Sequence, residues 1–211
     1  GTLEASRVLV ADLDEQRREE ASAFGCDVTS DTSSAGSIST LFLAVKPQGF
    51  DPVAAALGVR DDARLIISVM AGIGSERMAT AFGPGARIVR AMPNTPAWLG
   101  EGMTAIAAGL GATPEDMHCA RDIFSSVGHV IEVDEPQLHA VTAVSGSGPA
   151  WIFRVAEACE KAAVEAGLSA TQAAELVRHT IRGAGMLLTE SREDPVDLRR
   201  AVTTTGGTTA A

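Results

Sequence analysis

Ala143-Val-Ser-Gly-Ser-Gly-Pro-Ala-Trp151 divides the chain into two kinds of sequence. Before it, short aliphatic runs alternate with helical patterns. After it, strand-like runs cease and helical periodicity continues as far as Leu188. The stretch itself is a turn of small residues leading directly into a helical pattern. A second such turn, Thr203-Thr-Thr-Gly-Gly-Thr-Thr209, lies downstream. Turns without bulky side chains let backbone N–H groups approach a ligand, and a helix N-terminus behind one favours an anion. Two ordinary helix connections are the alternative reading.

Upstream, Leu41-Phe-Leu-Ala-Val45 breaks at Lys46-Pro47, and Leu65-Ile-Ile-Ser-Val69 breaks at Ala71-Gly72. Ala86-Arg-Ile-Val-Arg-Ala91 repeats the pattern and breaks at Met92-Pro-Asn-Thr-Pro96. Runs without polar alternation predict strands covered on both faces, as in a parallel sheet. Helical patterns at Pro52 to Leu57 and at Ser75 to Phe82, the latter stopped by Gly83, fill the gaps between them. Met103 to Ala108 is a further strand, Thr113-Pro-Glu-Asp116 starts a helix, and His129 to Val133 closes the series. Strands alternating with helices predict an α/β fold with a doubly wound sheet. Ligands of such sheets bind beyond the carboxyl ends of the strands, which places Lys46, Gly72 and Asn94 on one crevice. A solvated loop lysine is the other reading of Lys46.

The earliest strand, Arg7 to Asp12, precedes a helical pattern from Asp14 to Phe24. Asp12 is where a ribose-binding carboxylate belongs in such a unit, and an ordinary turn residue is the alternative. An acid there favours NADH at least as well as NADPH, although Arg17 and Arg18 stand close enough in sequence to receive a 2′-phosphate. The glycine-rich fingerprint belongs about twenty residues earlier, beyond Gly1. The chain therefore reads as one whose first strand, glycine-rich loop and C-terminal part lie outside the 211 residues.

A net charge of −10 argues against nucleic acid or an anionic membrane surface as partner. With 45% hydrophobic and 21% charged residues the composition is that of a globular protein, without a membrane-spanning run or a signal peptide. Cys26, Cys119 and Cys159 are too scattered for a disulfide framework or a zinc site and predict reduced thiols in a cytoplasmic protein. His118, His129 and His139 have no metal-ligand spacing, so no metal is expected.

Beyond Asp134, Ile152, Val155, Cys159, Ala162 and Ala166 recur at helical spacing, with Glu157 and Lys161 as an i,i+4 pair on the other side. Ser169 caps a second helix, whose stripe runs through Ala173, Leu176, Val177, Thr180, Ala184, Leu187 and Leu188. Stripes this wide predict burial against another subunit, or against chain outside the sequence.

The motifs together resemble those of the pyrroline-5-carboxylate reductase family, which reduces 1-pyrroline-5-carboxylate to L-proline with NADPH or NADH, the last step of proline biosynthesis. The resemblance runs along nearly the whole chain. It is carried by Ala44-Val-Lys-Pro-Gln48, Ser68-Val-Met-Ala-Gly72, Arg90-Ala-Met-Pro-Asn-Thr-Pro96, Val144-Ser-Gly-Ser-Gly-Pro-Ala150 and Leu198-Arg-Arg-Ala-Val202, running into Gly206-Gly-Thr-Thr209. It implies a Rossmann-like, mostly parallel doubly wound domain over residues 1–134 and an all-helical dimerisation and substrate-binding domain over 135–211. Asp12, Ala44, Lys46, Pro47, Ala71, Gly72 and Asn94 would face the dinucleotide. Backbone amides of Gly206, Gly207, Thr208 and Thr209 would hold the substrate carboxylate, and the Thr209 hydroxyl, the catalytic group, would bond the ring nitrogen. The partners implied are the small-molecule substrate and a second copy in a homodimer, with further assembly commonly into decamers.

There are departures from that pattern. The family's Ser-Pro-Gly-Gly-Thr is here Thr204-Thr205-Gly206-Gly207-Thr208, and without the proline the φ of residue 205 is free. Asp31 to Ser39 is shorter than the family's helix at this place. A β-hydroxyacid dehydrogenase is the competing enzyme. It needs a lysine with an asparagine four residues on, and Lys161 is followed by Glu165 instead. A truncated chain that dimerises without catalysis is the non-enzymatic alternative.

Overall fold

A computed structural model of the chain describes residues 4–203. In order, β1 (Leu9–Ala11), α1 (Glu15–Ala23) and β2 (Asp27–Thr29) precede β3 (Thr40–Leu43), α2 (Phe50–Leu57), β4 (Arg64–Ser68), α3 (Ser75–Phe82) and β5 (Ala86–Met92). Then come β6 (Gly102–Ala108), α4 (Pro114–Ser125) and β7 (Gly128–Glu132). Helices α5 (Leu138–Val141), α6 (Gly148–Glu165), α7 (Ala170–Glu190) and α8 (Pro195–Ala201) follow.

The strands form two sheets. β1 and β2 pair in parallel by themselves, while β3-β4-β5-β6-β7 make a five-stranded sheet in sequence order. Within the larger sheet β3, β4 and β5 are parallel, β6 runs against β5, and β7 is parallel to β6. The reversal has a local cause. Helices α2 and α3 carry the chain back between the parallel strands. β5 and β6 are joined only through a 3₁₀ turn at Thr95–Leu99, with no crossover helix to return the chain for a parallel pair. β2 was not expected, because Asp27-Val-Thr29 holds a single apolar residue. Residues of the short polar segment form a 3₁₀ turn, Thr32–Ser37, capped by Asp31.

Period-two alternation distributes the apolar strand residues to both faces of the larger sheet. Leu41, Leu43, Ile66 and Ile88 pack with Phe50 and Leu57 of α2 and Met78 and Phe82 of α3. Leu65, Ile67, Val89, Ala91 and Ile106 pack with Ala120 and Phe124 of α4. Each large side chain so buried contributes about 1.5–3 kcal/mol. α4 starts as its sequence dictates, with Thr113 and Asp116 closing a capping box and Pro114 in the first turn. Asp116, buried, also accepts from Arg87 Nε at 2.9 Å and Nη2 at 3.2 Å.

By its internal contacts the chain divides into two compact units between Pro149 and Ala150. The cause is Leu138 of α5, which is buried with Met92, Ala105 and Ala107 and so ties residues 135–149 to the sheet-bearing unit. In the helical unit Ser169 closes a capping box with Gln172 at the start of α7. The expected Glu157–Lys161 pair does not form. Glu157 instead pairs with Arg154 at 2.8 Å, and Lys161 with Glu165 at 4.0 Å. Among the described residues no helix is long and apolar enough to cross a membrane.

Candidate functional site

Because β3, β4 and β5 are parallel neighbours, the turns after them emerge on one edge of the sheet. Ala44, Lys46 and Pro47 follow β3. Pro47 opens a 3₁₀ turn in which Gly49 N donates to Lys46 O at 2.8 Å. Lys46 is exposed and makes no ion pair among the described residues. Ala71 and Gly72 follow β4, and both are exposed. Gly72 has φ +75, a conformation side chains disfavour, and a Cβ there would meet open space. Val69 N donates to Leu43 O at 3.1 Å, which ties the β4 turn to the end of β3.

Asn94, after β5, is held by both ends of its amide. Its Oδ1 accepts from Met103 N at 2.9 Å, and its Nδ2 donates to Ser145 O at 3.1 Å. Ser145 belongs to a π-helical turn, Thr142–Gly146, at the centre of the small-residue motif. Such turns are uncommon and concentrate at functional sites. A Cβ on Gly146 would make ordinary van der Waals contact with Met92 Sδ, at 3.5 Å.

Beneath the β4 turn lies a group the sequence reading did not single out. Arg90 of β5 is buried, and its Nη1 meets Glu135 Oε1 at 3.2 Å. Glu135 Oε1 accepts from Ser75 N at 2.8 Å, and its Oε2 accepts from Ser75 Oγ at 2.5 Å. Burial alone would raise the Glu135 carboxyl. The hydrogen bonds from Ser75 Oγ and N and from Arg90 outweigh it and hold the carboxyl below the usual glutamate range. The available signal was an arginine inside a strand apolar on both faces, since a charge there requires a partner.

Asp12 lies apart from this group in its bonding. It follows β1 directly, its Oδ1 accepts from Asp14 N at 2.9 Å, and its Oδ2 is 3.8 Å from Arg17 Nη1. Its carbonyl accepts from Arg18 Nη1 at 2.8 Å. None of these bonds reaches the β3–β5 edge.

The model of pyrroline-5-carboxylate reductase dimerisation matches residues 135–211. The pyrroline-5-carboxylate reductase of Synechocystis sp. is 44% identical over 185 residues, spanning 87% of this chain and 69% of that protein. The chain belongs to the pyrroline-5-carboxylate reductase family. A pyrroline-5-carboxylate reductase structure from Coxiella burnetii superposes with a TM-score of 0.85 at 33% identity, covering 96% of this chain and 77% of that one. The pyrroline carboxylate reductase of Plasmodium falciparum, solved with NADP bound, gives 0.78 at 28% identity, covering 88% and 71%.

For a pyrroline-5-carboxylate reductase, then, the turns bearing Ala44, Lys46, Pro47, Ala71, Gly72 and Asn94 share one sheet edge. Gly206, Gly207, Thr208 and Thr209 lie outside the described residues. The lysine that a β-hydroxyacid dehydrogenase would use, Lys161, is 79% exposed and faces Glu165, which gives that reading no support.

Proposed function

We propose that this protein reduces 1-pyrroline-5-carboxylate to L-proline with NADPH or NADH, the last step of proline biosynthesis, and that the dinucleotide lies along the edge formed by the ends of β3, β4 and β5. The observation that carries the assignment is family membership over most of the chain. The exposed small-residue turns on the parallel edge support the cofactor's placement, since strand ends of this kind accept ligands. Ala44, Ala71 and Gly72 leave room for a flat group, and Lys46 offers an unpaired cation to a phosphate or ribose. Asn94 acts here by fixing the β5 turn against Met103 and Ser145. Asp12 would hold the adenosine ribose and repel a 2′-phosphate, so NADH serves at least as well as NADPH, although Arg17 and Arg18 beside it offer that phosphate a partner.

The nicotinamide, when bound, supplies the hydride that adds to C5 of the cyclic imine. The remaining tasks fall to the chain. The imine is electrophilic only when its nitrogen is protonated or strongly hydrogen-bonded, and a hydroxyl can serve that nitrogen. We assign this to Thr209, with the amides of Gly206, Gly207 and Thr208 orienting the carboxylate. The helical unit would associate as a homodimer, with decamers as the further assembly, in the cytoplasm. The free thiols of Cys26, Cys119 and Cys159 suit that compartment.

The test is imine-dependent oxidation of NADH and NADPH with proline as product. In the enzyme Thr209→Ala should slow turnover by roughly ten- to a hundred-fold with folding and dinucleotide affinity intact. Thr209→Ser should restore most of the rate. Asn also serves as a helix cap, so near-parental catalysis by Thr209→Asn would overturn the catalytic role of Thr209. Titration of the 211-residue chain with dinucleotide distinguishes an enzyme from a chain that only associates.

A further inference from the structure

The group formed by Arg90, Glu135 and Ser75 is bonded to both ends of the turn assigned to the cofactor, at Met70 O and at Ser75 N. Helix α3 begins with Gly74 at its cap position, which brings no side chain to its free N–H groups. Glu135 supplies that cap from 60 residues away, taking both the N–H and the hydroxyl of Ser75. Arg90 is held by the same carboxylate, and its Nη2 also reaches Met70 O, a longer contact at 3.4 Å. Its Nε is buried with no partner among the described residues, so Glu135 is the one carboxylate that compensates this guanidinium. The segment Met70 to Ser75 is thus pinned at both ends by one ion pair, its arginine buried and its glutamate half-buried. Ala71 and Gly72, between those pins, carry no side-chain polar group with which to hold the turn themselves. Glu135 in turn opens the stretch that runs on to Ser145 and its bond with Asn94.

We infer that Arg90 and Glu135 are positioning residues for the dinucleotide. They set the Met70–Gly74 turn, and through that turn they govern cofactor binding while leaving the imine's own contacts untouched. The inference rests on the assignment of Ala71 and Gly72 to the cofactor, and one control tests that assignment alone. Gly72→Ala places a side chain at a disfavoured φ in open space, so a raised KM for the dinucleotide verifies that the turn serves the cofactor. An unchanged KM rejects that assignment and the inference with it.

In the enzyme Glu135→Gln keeps an acceptor for Ser75 N but loses the charge that holds Arg90. It should raise KM for NADH or NADPH about tenfold, equivalent to ~1.4 kcal/mol, with kcat and KM for the imine changed less than roughly twofold. Arg90→Lys keeps the charge without the fork and should act in the same direction. The Arg90→Met, Glu135→Met double variant removes both charges. It should melt closer to the parent than Arg90→Met does, because no buried charge is left unpaired, while its dinucleotide KM stays raised. If the double variant recovers the parental KM, the pair serves stability alone and the inference is overturned. It is equally overturned if Glu135→Gln shifts kcat or the imine KM instead, or if that variant leaves dinucleotide KM unchanged while Gly72→Ala raises it. Should the double variant not fold, the Glu135→Gln split decides by itself.

Discussion

In the sheet-bearing unit Ile66, Ile67, Ile88 and Ile106 have no accessible surface, whereas in α6 and α7 Trp151, Phe153, Val155, Leu176, Met186 and Leu187 are each more than half exposed. Both regions are rich in apolar residues, so composition does not explain the contrast. Strands covered by α2 and α3 on one face and α4 on the other close a core within one chain. The long helices carry apolar stripes for which the described residues provide little cover, Ala173 being fully buried among them. The first unit is built to hold its shape alone. The second lies within the residues that match a dimerisation model, and its exposed stripes fit a surface made for association.

The largest effect should come from the closed core. Ile66→Ala leaves a cavity between β4 and α2–α3 and should cost about 2–5 kcal/mol in urea unfolding. Phe153→Ala removes more atoms, yet should leave the urea stability of a dissociated chain almost unchanged. An equal loss at both sites would erase the distinction. Next, Leu176→Asp with Leu187→Asp should weaken self-association at least tenfold, as changes at interface hot spots do. Sedimentation would show the monomer, and the concentration dependence of melting would disappear. Persistent dimers would mean these stripes are covered by something else.

Ion pairs extend the same comparison. Arg87→Ala leaves the buried Asp116 carboxylate without its guanidinium and should cost about 1–3 kcal/mol. For Asp116, burial is the largest influence and raises its pKa, but bonds from Arg87 and from Thr113 lower it further than burial lifts it. A carboxyl with a lowered folded-state pKa stabilises the fold above its unfolded value, ~3.9. That stability disappears as pH falls from there through the folded value. The parent should therefore lose stability below about pH 4 more steeply than Arg87→Ala does. The smallest effect belongs to the helical unit's exposed pair, Arg154 with Glu157. Glu157→Ala should leave the melting temperature unaltered, and a clear drop would show that surface pairs support α6 more than exposure suggests.

Much of this architecture was legible because its causes are local. Ser75 to Phe82 was expected as a helix from its spacing and from Gly83, and α3 has those bounds. Thr113 and Pro114 announced α4, and Ser169 announced α7. Lys46, Gly72 and Asn94 were placed on one edge by the rule that parallel strands share their carboxyl ends, and the pairing of β3, β4 and β5 agrees. β2 escaped notice because three mostly polar residues carry no period. The Ser145–Gly146 motif was read as a turn before a helix, and it forms a π-helical turn stitched to Asn94.

What the sequence by itself determined is the alternation of strands and helices, the change to helix alone, and the family, since propensity, period and ordered motifs are written in neighbouring residues. Tertiary structure alone decided that β1 and β2 stand as a separate sheet and that residues 135–149 belong to the first unit. It also decided that Arg90 meets a glutamate 45 positions away, which in turn caps a helix 60 positions back. Those outcomes depend on which strands pair and where Leu138 finds a buried place. Such contacts form only when distant segments are brought together, and no local pattern encodes their partner.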